Sequence, residues 1–104
     1  MTDCQIPSQN LKTITNQQEY LNVQFSIHWY QEDINSLLEL LLQPILPVRI
    51  QETISGADRE NIRFEWQQKF FILNFECCSQ SCWIEGQDAP SKQLLSRLYA
   101  SLVV

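Results

Sequence analysis

Glycine and positive charge are both scarce in this sequence. Gly56 and Gly86 are its only glycines. A phosphate-cradling or dinucleotide-binding loop needs several glycines for tight turns and close backbone approach, so two make one hard to build. Seven basic residues stand against twelve acidic ones, for a net charge of −5. The seven (Lys12, Arg49, Arg59, Arg63, Lys69, Lys92 and Arg97) are scattered along the chain. A nucleic-acid partner would want them clustered, and an acidic balance repels an anionic membrane surface as well. No run approaches the roughly 18 apolar residues of a membrane span. The longest, Leu37–Leu42, is broken by Glu39. Residues 1–10 are polar and lack the basic start and apolar centre of a secretory signal. These absences predict a cytoplasmic protein with no nucleic-acid and no membrane partner.

The chain does have a core to build. Its 104 residues are 44% apolar, with five Phe, three Tyr and three Trp. A chain of this length hides roughly 65% of its unfolded surface on folding. So many aromatics could not remain solvated, and a folded domain is expected without metals or disulfides.

Periodicity places its elements. Leu11, Thr13 and Thr15 alternate with Lys12 and Ile14, allowing a short leading edge strand before a turn at 16–19. Leu21, Val23, Phe25, Ile27 and Trp29 fall at every second position, the pattern of a half-buried strand. The period then changes. Ile34, Leu37, Leu38 and Leu41 draw one stripe on a helix, which Pro44 and Pro47 end. Val48, Ile50 and Ile54 make a weaker strand, closed by a turn at Ser55-Gly56-Ala57-Asp58. Ile62, Phe64 and Trp66 mark another strand, 70–77 a further one, and 82–85 the last. Asp88 can cap a final helix with Pro90 in its first turn and an apolar stripe of Leu94, Leu95, Leu98 and Leu102.

The expected fold is therefore α+β. A single, mostly antiparallel sheet of four to six strands, in the order β-α-β-β-β-β-α, carries both helices on one face. Residues 1–10 are expected to form a flexible N-terminus and 11–104 a single domain. With the chain turning at 67–69 through a hairpin loop of about two residues, Phe64 would stand opposite Phe71 and Ile62 opposite Leu73. Arg63, Glu65, Phe70 and Ile72 then share the other face, because register fixes parity. If the strands flanking the first helix are neighbours, they are parallel with a right-handed crossover.

The chemistry-bearing residues are few. His28 is the one histidine. It is read as a general base or metal ligand on one view and a solvated strand residue on the other, and it has no identifiable triad partners. Cys77, Cys78 and Cys82 form a C-C-x-x-x-C cluster, with Cys4 far off. A four-residue loop is expected to set Cys77 against Cys82 on the core face. The cluster reads either as buried structural thiols or as a redox site. Zinc wants four ligands in closer pairs, so no metal and no cofactor is predicted. Asp58 and Arg59 could present an acid and a guanidinium together from their turn, or Asp58 could bond its own backbone. Glu76 and Glu85 on adjacent strands are either paired acids or a solvated sheet face. Phe70, Ile72 and Trp83, near Tyr30, Arg63 and Glu65, could give the outer face large apolar groups rimmed by charge. One residue of loop length would instead swing Trp83 into the core.

Gly56-Ala57-Asp58-Arg59, then Ile62-x-Phe64-x-Trp66, Leu73-x-Phe75-Glu76 and Ser81-x-Trp83-Ile84-Glu85 carry a resemblance. Residues 50–86 resemble an uncharacterised family of short bacterial proteins, mostly gammaproteobacterial, known as a domain of unknown function. The G-A-D-R turn and the closing W-[LI]-E are its most specific parts. The sequence departs from that family's pattern where Gly is usual in a hairpin turn and Gln67-Gln68-Lys69 stands here. The resemblance implies a small bacterial α+β protein and no activity.

The reading that follows is a non-enzymatic interaction or regulatory module acting through its sheet face or edge. Its partner would be another protein or a second copy of the chain. The candidate binding residues are Asp58, Arg59, Arg63, Phe70, Ile72, Glu76, Trp83 and Glu85. The alternatives are a redox- or metal-responsive protein using Cys77, Cys78 and Cys82, or a small enzyme using Asp58, Arg59, Glu76 or His28.

Overall fold

A computed structural model of the chain describes residues 12–103. Its six strands are β1 (Lys12–Asn16), β2 (Leu21–Phe25), β3 (Arg49–Gly56), β4 (Arg59–Trp66), β5 (Lys69–Glu76) and β6 (Ser81–Gly86). They form one open antiparallel sheet in the order β1-β2-β6-β5-β4-β3. Helix α1 (Ile34–Leu42) joins β2 to β3, and α2 (Ala89–Gln93) and α3 (Leu95–Leu102) follow β6. The fold is α+β, as the change of period predicts, and the leading strand is present as β1. Residues 1–10, expected to be a flexible terminus, lie outside the described residues.

Hydrophobic alternation sets the sheet's two faces. Phe64 pairs with Phe71 and Ile62 with Leu73, the expected register of the β4–β5 hairpin. These four are fully buried, with Leu21, Val23, Phe75, Cys82 and Ile84 on the same face. The stripes of the helices, Ile34, Leu37 and Leu41 from α1 and Leu95, Leu98 and Leu102 from α3, complete one core with them. Asp88 caps α2 as predicted, its carboxylate accepting the Ser91 N–H at 3.0 Å. Gly86 is required by packing, not by its dihedrals. A Cβ there would come within 2.5 Å of the Lys92 backbone nitrogen as α2 crosses the strand end.

β2 and β3 are not neighbours, so no parallel pair forms. Three strands separate them. The chain leaves β2 near one edge, crosses the covered face through α1, enters at the far edge as β3, and returns to β2 by three successive hairpins. Gln31 fastens that crossing. Its side chain donates to the Gly56 carbonyl at 3.0 Å and accepts the Asp58 N–H at 3.2 Å.

Two expectations fail locally. The strand assigned to 21–29 ends at Phe25. The chain then leaves the sheet, so alternation no longer sorts its side chains, and Ile27 is exposed while Trp29 is buried. The Trp29 ring meets Phe75 edge-on at 5.5 Å. Its backbone is held by Gln80, which accepts the Trp29 N–H at 3.1 Å and donates to its carbonyl at 2.8 Å. In β3, a bulge between Ile50 and Glu52 reverses parity. Ile50 pairs with Phe64 and Ile54 with Asn61, so the two isoleucines point to opposite faces, and both stay exposed. One extra residue on an edge strand has this effect.

Candidate functional site

The sheet face away from the helices carries the candidate residues. Register orders it in rows. Asn22, Trp83, Asn74, Asn61 and Ile54 form one row across β2, β6, β5, β4 and β3. Glu85, Ile72, Arg63 and Glu52 form the next. Trp83 pairs with Asn74, because the β5–β6 loop is four residues, Cys77 to Gln80. That settles its side: the indole lies on the helix-free face.

Polar groups close this face sideways where helices close the other from above. Asn74 is only 4% exposed although nothing helical covers it. Its amide donates to a Glu85 carboxylate oxygen at 3.0 Å, and its oxygen accepts from Asn61 at 2.6 Å. A buried amide is tolerable only when paired this way. Arg63 donates to Gln87 at 3.2 Å and pairs with Glu52 at 3.3 Å, while its Nε is buried without a partner. Among the described residues, no ion pair reaches Glu85.

Two depressions flank Glu85. One, of about 520 Å³, is lined by Trp83, Tyr20, Glu19, Glu85 and Lys92 among others. The Lys92 ammonium stands 3.7 Å from Glu19, and both side chains are largely exposed. The other, of about 440 Å³, is lined by Ile54, Ile72, Asn61, Asn74, Arg63 and Glu85 among others.

The remaining candidates sit elsewhere. Arg59 and Glu76 share this face but border neither depression, and they satisfy each other at 3.0 Å. Phe70 pairs with Glu65 a row further out. Asp58 is at the tip of the β3–β4 turn with φ 62°, and its carbonyl accepts the Cys77 N–H at 2.8 Å. The left-handed residue of the G-A-D-R turn is therefore Asp58, not Gly56, whose φ is negative. His28 is exposed in the β2–α1 connection and packs on Tyr30 with ring centroids 4.9 Å apart. Tyr30 borders neither depression.

The cysteines are not set as expected. Phe75, not Cys77, opposes Cys82, because β5 ends at Glu76 and Cys77 is the first loop residue. Cys77 is half-buried, with its thiol 3.7 Å from the Trp29 carbonyl. Cys82 is enclosed, and burial pushes its thiol well above the ordinary value. Cys78 is exposed, and its pKa is also raised, first by a hydrogen bond to Asp58 and then by that carboxylate's charge. No group of three metal-ligating side chains occurs among the described residues.

Sequence reasoning missed Tyr20, Glu19, Asn61 and Asn74. Tyr20 and Glu19 lie in a turn, where alternation is silent. Asn61 and Asn74 read as wet-face residues, and only register shows them bonded to each other.

An open antiparallel sheet with helices on one face and a polar-laced other face defines a small α+β sheet protein. The chain belongs to the family described as protein of unknown function (DUF3630), whose model matches residues 10–103. Neither a curated protein nor a solved structure matches it. No helix among the described residues is long and apolar enough to cross a membrane.

Proposed function

We propose that the protein is a non-enzymatic interaction module that works through the helix-free face of its sheet, with the exposed β3 edge as a secondary surface. The observation that carries this reading is the uncovered face itself. It sets half-buried Trp83 and Ile72 among charged and amide groups, with two depressions between them. Apolar anchors within a polar rim are the anatomy of a protein-binding surface. The acidic balance and the absence of a glycine-rich loop fit a protein partner better than nucleic acid. The reading takes the protein as bacterial and cytoplasmic, with its thiols reduced.

The redox alternative rests on Cys77 and Cys78, since Cys82 is enclosed and faces Phe75.

A photo-crosslinking residue at position 72 tests the interaction reading in cells of origin. A discrete adduct is expected, either to another protein or to a second copy of the chain. The same probe at exposed Arg97 on α3 should give none. Identical adduct patterns from both positions, or none from either, would remove the reading.

A further inference from the structure

Glu85 is the least explained charge on the free face. It is half-buried, it accepts a hydrogen bond from the amide of Asn74, and among the described residues no cation pairs with it. Trp83, Tyr20 and Glu19 line the same depression. An indole and a phenol flanked by two carboxylates form a surface suited to a cation, since ring faces and carboxylates both attract positive charge. The molecule already places one cation there. Lys92 approaches Glu19 but pairs only loosely, at 3.7 Å with both groups well exposed. Among the described residues, Glu85 is left without one. The surrounding charge acts in the same direction, with twelve acids against seven bases over the chain.

Resting on the interaction reading above, we propose that the partner is a basic protein segment, and that one of its lysine or arginine side chains enters the depression lined by Trp83, Tyr20 and Glu85. An extended segment fits best. It presents alternate side chains to one face, so a single cation can enter this depression while the rest of the segment runs along the sheet face. Lys92 acts as an internal competitor, holding Glu19 until the segment's own cation displaces it.

The test is a calorimetric titration of the whole protein with a ten-residue peptide of alternating lysine and threonine, and with the same peptide carrying glutamate for lysine. Chemical shifts of the Trp83 indole and the Asn74 side-chain amide report the location. The lysine peptide is expected to bind and move both signals, and the glutamate peptide to do neither. Glu85→Gln should weaken binding on the order of tenfold, as loss of a charged hydrogen-bonding partner does. Trp83→Leu should weaken it about fivefold. Lys92→Gln should strengthen it a few-fold by freeing Glu19. Glu39→Gln, on the exposed side of α1, should change nothing.

Equal losses from Glu85→Gln and Glu39→Gln would mean diffuse attraction and overturn the proposal. So would unshifted Trp83 and Asn74 signals, tighter binding of the glutamate peptide, or spermidine matching the lysine peptide. If no peptide binds while the position-72 adduct persists, the basic-segment inference fails and the interaction reading stands. Loss of the adduct as well removes both.

Discussion

The two faces of β5 are filled by different means. Phe71, Leu73 and Phe75 on one face are fully buried under the helices. Phe70, Ile72, Asn74 and Glu76 on the other alternate with them, and only Asn74 is fully buried. The covered face is held by non-directional apolar packing, which tolerates no void. The free face is held by directional contacts along rows: Asn61 to Asn74 to Glu85, Arg63 to Glu52 and Gln87, and Arg59 to Glu76. Such a lattice keeps side chains in place while leaving Trp83 and Ile72 open to a partner.

Truncations on the two faces should therefore cost unequal amounts. Leu73→Ala is expected to destabilise the protein by about 2–5 kcal/mol, since it opens a cavity in a closed core. Ile72→Ala, one residue away, should cost about 1 kcal/mol. Urea unfolding followed by circular dichroism measures both. Equal losses would break the contrast and mean that Ile72 is covered in solution, as it would be in a self-associated form. Sedimentation of the Ile72 variant would then show a smaller species than the wild type.

The polar lattice makes the next claim. Asn74→Ala removes a buried amide and strands Asn61, so a loss of about 1–3 kcal/mol is expected. A double-mutant cycle with Asn61→Ala should return a coupling of at least about 0.5 kcal/mol. Strict additivity would mean that the 2.6 Å contact contributes nothing to stability.

How much of this was legible follows the same division. Parity was readable wherever alternation ran through paired strands, as at Ile62, Phe64, Phe71 and Leu73, because one buried face forces the register. It failed where a single residue broke the count. The Gln51 bulge turned Ile50 and Ile54 to opposite faces, the chain left the sheet after Phe25, and β5 ended one residue early and moved Cys77 into a loop. The free face was legible as a set of outward residues but not as a site. Its depressions depend on Tyr20 and Glu19 from a turn and on which amide meets which carboxylate, and local pattern encodes neither.

The β4–β5 hairpin supplies a gain of stability instead of a loss. Gln67 and Gln68 both have positive φ, 52° and 65°, in a two-residue loop. Mirror-image turns of this kind favour Asn and Gly, which enter that region with little steric cost. Gln68→Gly should stabilise the protein by about 0.5–1 kcal/mol without moving either face, because relief of roughly 1–2 kcal/mol of left-handed strain exceeds the entropic cost of glycine in this exposed loop. A loss would mean that the glutamine side chains make contacts in solution that offset the backbone strain.

The smallest effect is kinetic and concerns the thiols. In a Cys4→Ser background, Cys78 should react first with a disulfide reagent, because it alone of the three is fully exposed. Cys77 should follow, and Cys82 should react only on unfolding. Cys78 should still be sluggish near pH 8. The Asp58 carboxylate accepts a hydrogen bond from the protonated thiol and repels the thiolate, so the reactive form accumulates only above its ordinary range. Asp58→Asn removes that charge and should shift the rate–pH profile of Cys78 to lower pH, with little change in stability at the turn, since Asn also tolerates positive φ. An unchanged profile would place Asp58 away from the thiol in solution. A Cys82 that reacts as fast as Cys78 in the folded protein would mean that the helix-covered face is not closed, and would undo the contrast between the two faces.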